Sequence, residues 1–72
     1  MIVKDVFQFY DDSLKPLYSE TEARDNSLPV EVLFEIHSAF DHLKRFYVSS
    51  EEEAACCRKA YGHLIRACLD MY

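Results

Sequence analysis

Glycine occurs once in this chain (Gly62) and proline twice (Pro16, Pro29). Such scarcity argues against a loop-rich or all-β design, which needs turn residues every few positions. A single glycine also excludes the glycine-dependent loops that cradle phosphates at helix N-termini. Long hydrophobic runs are missing as well. No stretch approaches the ~18 apolar residues of a membrane span, and the N-terminal residues lack the apolar segment of a signal peptide. The three cysteines, Cys56, Cys57 and Cys68, are odd in number and two are adjacent. That is a poor disulfide framework, and it points to a reducing, cytoplasmic setting. Basic residues are few: eight Lys and Arg stand against thirteen Asp and Glu, for a net charge of −5. They are dispersed, so non-specific attachment to a phosphate backbone is disfavoured.

Recognisable chemistry is also scarce. The chain holds no phosphate-binding loop, dinucleotide fingerprint, nucleophile elbow or Cys-x-x-Cys pair. Metal sites in helical bundles draw on Glu-x-x-His repeats from facing helices, and that spacing does not occur. No metal, cofactor or small-molecule ligand is expected.

What the 72 residues do contain is hydrophobic periodicity, half of them being apolar and ten aromatic. Three stripes advance in steps of three and four: Val3-Val6-Tyr10-Leu14-Leu17, Leu33-Ile36-Phe40-Leu43-Tyr47 and Cys57-Tyr61-Leu64-Cys68-Met71. This period keeps one helix face toward a neighbour. It predicts a single all-α domain over residues 1–72, with helices over about 2–21, 28–47 and 50–72. The architecture expected is an antiparallel three-helix bundle, completed by self-association or by a partner.

Local signals set the boundaries. Pro16 removes a helical donor inside the first stripe, so that helix is expected to kink there or split. Asn26 and Ser27 are candidate caps for the second helix, and Pro29 suits its first turn. Ser49 with Glu52, and Ser50 with Glu53, match the Ser-x-x-Glu capping box of a third helix. In that reading the triplet Glu51-Glu52-Glu53 complements a helix dipole rather than forming a functional acidic patch. The third helix has no stop signal and is expected to run to the last residue, its final turns held by a partner. Gly62 lies within it, where glycine costs about 1 kcal/mol relative to alanine. Close approach of another backbone is the expected reason.

Candidate functional residues lie at the edges of the stripes. Ile2 and Phe9 widen the first, Val30 and Phe34 flank the second, and Ile65 and Leu69 widen the third. Three helices of this length cannot bury every aromatic and aliphatic side chain, and surplus apolar surface usually means a protein interface. With Gly62 and Tyr72, these residues form the expected partner-binding set. The tyrosines at 10, 18, 47, 61 and 72 suit it, each having an apolar body and a polar tip. His37 and Asp41, four apart, are a candidate surface pair.

One further segment carries a possible chemistry. Arg58-Lys59-Ala60-Tyr61-Gly62-His63 resembles the Arg-x4–6-His signature of HEPN-type ribonucleases, helical bundles that commonly work as dimers. The resemblance implies RNA cleavage with Arg58 and His63 as the catalytic pair. Lys59 departs from the polar uncharged or acidic residue usual after that arginine. At helical pitch Arg58 and His63 also point roughly 140° apart. The primary expectation is therefore a homo-oligomeric protein-interaction module without a catalytic site, with the HEPN-like reading as its alternative. Nucleic acid is an expected partner only under that alternative.

Overall fold

The computed structural model describes residues 1–72 and is entirely helical in its regular structure. Helices α1 (Val3–Phe9) and α2 (Lys15–Asp25) are joined without a break by a π-helical turn, Tyr10–Leu14. Together they form one long first helix. Two more follow, α3 (Val30–Ser49) and α4 (Glu53–Asp70). The result is an all-α three-helix bundle. No helix is long and apolar enough to cross a membrane.

The disturbance expected at Pro16 takes the form of the π turn, and the helix does not split. Lys15 donates its N–H to the Tyr10 carbonyl, five residues back, immediately before the proline. The extra residue in this turn resets the inward face. From Val6, an undisturbed helix would direct Ser13 toward the core; the π turn brings in Leu14 instead, which is fully buried. Thr21 continues the same face and is also buried, its hydroxyl without a hydrogen-bond partner.

Both connections begin on left-handed residues. Asn26 (φ 57°) terminates α2 by donating to the Glu22 carbonyl at 2.8 Å. It is thus a C-terminal cap, not the N-cap that its residue type suggested; asparagine tolerates both roles. Pro29 is the extended residue just ahead of α3. Ser50 (φ 56°) closes α3, and with Glu51 it donates to the Arg45 carbonyl. Because Ser50 is occupied there, neither expected capping box forms, and Glu52 precedes α4 without a side-chain cap. Glu53 reaches across the molecule instead. Its carboxylate accepts the Val3 N–H at 3.2 Å, joining the starts of α1 and α4. Asp5 accepts the neighbouring Ile2 N–H at 2.9 Å. These carboxylates satisfy donors that a helix start leaves free.

The core joins Val3, Val6 and Leu14 to Val32, Ala39 and Leu43, and to Cys57, Ala60, Leu64, Ala67, Cys68 and Met71. The third stripe faces inward as predicted, apart from Tyr61, which is half-buried. The second keeps only Ile36 and Leu43 inward, its other positions giving way to their preceding neighbours. α3 turns Val32, Ile36, Ala39, Leu43 and Phe46 toward the core, and leaves Leu33, Phe40 and Tyr47 exposed. Small residues explain this: with Ala39 inward against the alanine-rich face of α4, the two helices pack closely, whereas inward Phe40 would hold them apart. Gly62 plays no such part. A Cβ there would meet only the end of the Arg66 side chain, at 4.0 Å, so no backbone lies close to it.

Candidate functional site

The first helix packs on α4 through Val3, Val6 and Leu14 and makes few contacts with α3. A groove therefore opens between it and α3. The deepest part is a pocket of about 140 Å³ whose lining is wholly apolar, from Val6, Phe7, Tyr10, Ile36, Phe40 and Leu64 among others. It continues past Tyr10, Ile36 and Phe40 into a hollow bounded by Lys15, Tyr18 and Leu33. On the outer side of Phe40, a shallow depression is edged by His37, Asp41 and Lys44. Phe40 borders all three and is 55% exposed. Phe7 (49%), Leu33 (46%) and Tyr47 (67%) extend the uncovered apolar surface.

Charge along the groove is balanced within the chain. Lys15 faces Asp11 at 3.9 Å. Asp41 binds Lys44 at 3.2 Å and Arg45 at 3.0 Å, and so does not form the pair with His37 that its spacing suggested.

Of the expected partner-binding residues, Ile2, Val30, Phe34, Ile65, Leu69 and Tyr72 are exposed, but none lines the groove. Gly62 is half-buried. Phe9 is used internally, its ring edge-on to Tyr61 with centroids 4.8 Å apart. The groove instead takes residues that the periodicity assigned to the core: Tyr10, Leu33, Ile36 and Phe40. The signal that could have placed them was the surplus of apolar positions on α3, whose arc is too wide for a single neighbour.

A second constellation lies across α3 and α4. Glu35 accepts from His63 Nδ1 at 2.6 Å and from Arg66 Nε at 3.1 Å. The hydrogen bond from His63, aided by Arg66, holds the Glu35 carboxyl below its usual range against the opposing effect of burial. An ionised Glu35 requires the His63 proton on Nδ1, leaving Nε2 as the free ring nitrogen. The approach of Arg66 Nη2 to Nδ1, at 2.9 Å, then brings two donors together and is not a hydrogen bond. His42 stacks on His63 with ring centroids 5.2 Å apart. Burial, and then the charges of Arg45, His63 and Lys59, push His42 below its ordinary value.

Arg58, the other half of the HEPN-like pair, is exposed and enters none of the side-chain hydrogen bonds or ion pairs; Arg66 stands beside His63 instead. No three His, Cys, Asp or Glu side chains converge as a metal site. The cysteines are free and buried, and burial raises the thiols of Cys57 and Cys68. No family model, curated protein or solved structure matches the chain.

Proposed function

We propose that this chain is a small helical protein-interaction and assembly module, working in the cytoplasm and without a catalytic site of its own. The observation that carries this reading is the wholly apolar groove between the first helix and α3, with Phe40 exposed at its mouth. Exposed aromatics around an apolar cleft are the usual anchors of a protein interface. Photo-crosslinking tests it: benzoylphenylalanine at position 40 should give discrete protein adducts in cells, and the same group at the exposed Arg58 position should not. Absence of any adduct from position 40 would remove the reading.

A second reading, RNA cleavage by a HEPN-like dimer, draws on one observation. Glu35 fixes the ring of His63 and leaves Nε2 free, an arrangement that suits a general acid or base. Purified wild type should then cleave RNA, and His63→Ala and Arg58→Ala should not. Equal activity in all three, or none in the wild type, would dismiss it.

A further inference from the structure

We infer that the groove is filled by a second copy of this chain, with the two α3 helices antiparallel about a two-fold axis at Phe40. This inference rests on the interaction reading above and names its partner.

The first argument is spacing. Leu33, Phe40 and Tyr47 lie one heptad apart on the exposed side of α3, the spacing of one row of a coiled-coil seam, while Ile36 and Leu43 between them turn toward the core. Three of the five positions in the stripe described from sequence therefore face outward, beside the inward row of Val32, Ala39 and Phe46. A two-fold contact sets residue i against j and j against i, so a surface that pairs with itself must match when reversed. This seam does. Phe40 is midway between Leu33 and Tyr47, so antiparallel pairing sets Phe40 on its counterpart and each Leu33 against the other copy's Tyr47. Each α3 would enter the groove beside the other copy's first helix.

The second argument is charge. A net charge of −5 on each copy opposes self-association, yet the acid beside the seam, Asp41, is neutralised within its own chain. Asp41, at the outer edge of the groove, and Asp11, the partner of the groove-lining Lys15, are each paired with a base of their own chain. Glu22, Asp25, Glu31, Glu51 to Glu53 and Asp70 lie toward the helix ends and the connections, and Glu35 of α3 is bound by His63 and Arg66. A strongly basic or acidic partner helix would find no continuous complementary strip along this groove. A neutral apolar seam such as α3's own does find its match.

The third argument is area. The exposed parts of Phe7, Tyr10, Leu33, Phe40 and Tyr47 amount to about 500 Å², taking about 200 Å² for a whole side chain of this size. That is well over half of the roughly 800 Å² each partner contributes to a standard interface. The bordering His37, Lys15 and Lys44 side chains extend it.

Cysteine scanning of the full chain gives the test. The native cysteines are buried, so oxidised wild type should show no intermolecular disulfide. Phe40→Cys should cross-link to itself. Leu33→Cys and Tyr47→Cys should each remain uncoupled alone, and should couple to each other when mixed. Sedimentation equilibrium should show a wild-type dimer, weakened about a hundredfold or more by Phe40→Asp while helicity persists. A wild type that stays monomeric at high micromolar concentration, or Leu33→Cys that couples to itself, overturns the arrangement. The two readings fail separately. A position-40 photo-adduct to a different protein, with a monomeric wild type, would sink self-pairing and leave the interaction module standing. No adduct of any kind would sink both.

Discussion

Gly62 sits in the middle of α4 with open space where a side chain would be. Alanine there should cost nothing in packing and should recover the helix propensity that glycine lacks. Gly62→Ala is expected to stabilise the fold by about 1 kcal/mol, read as a higher urea midpoint at unchanged slope. The residue type alone suggested close approach; only the placement of neighbouring side chains shows that none occurs. The histidines have a different signature. A His42 whose folded-state value lies below its ordinary 6.5 takes up fewer protons than the unfolded chain. Stability should therefore decline as pH falls below that ordinary value. Glu35, held below its ordinary 4.5 by His63, adds a second decline at lower pH, again because the unfolded chain binds the proton first. His42→Gln should abolish the upper step of a thermal-midpoint profile between pH 7 and 4 and leave the lower one. Glu35 and His63 are 28 residues apart in the chain, so their pairing depends on the register of two helices and could not be read from local spacing.

At the level of the helix, α3 shows how far periodicity reaches. Adjacent residues Val32 and Leu33 are fully buried and half-exposed respectively, although the heptad pattern favoured Leu33 as the inward one. Val32→Asp should cost about 3 kcal/mol or more by burying a charge without a partner. Leu33→Asp in the monomer should change stability by about 0.5 kcal/mol or less. Urea denaturation of both variants checks the register. The helix itself, its amphipathic character and approximate ends were legible, because the 3.6-residue period registers any apolar stripe. Which of two overlapping stripes meets α4 was not legible, because that choice depends on how closely Ala39, Ala60 and Ala67 let the backbones approach. Pro16 was likewise visible as a disturbance, whereas its form, a π turn that brings Leu14 inward, follows from the packing demand on Leu14.

For the molecule as a whole, the dimensions are unequal: 39 × 21 × 15 Å, with a radius of gyration of 12.4 Å. A chain of this length folded to ordinary compactness would reach about 11 Å. Only 14 of 72 residues are buried, which is little for a domain near the lower size limit of independent folding. Covering the groove should then contribute to stability, so the thermal midpoint should rise with protein concentration in the wild type. Phe40→Asp should melt at a temperature independent of concentration; a wild type with the same independence would show that the monomer is self-sufficient. The bundle and its three helices could be foreseen from composition and period. The groove could not, because it arises from the first helix leaning on α4 rather than on α3.

The buried thiols give this molecule a chemical record of its own opening. Cys56, Cys57 and Cys68 all lie on α4, and burial disfavours the reactive thiolate of Cys57 and Cys68. Under native conditions an alkylating reagent should reach them only when α4 is uncovered, so the labelling rate follows that excursion. Separation of two copies at the groove leaves all three shielded, whereas opening of the bundle around α4 exposes them.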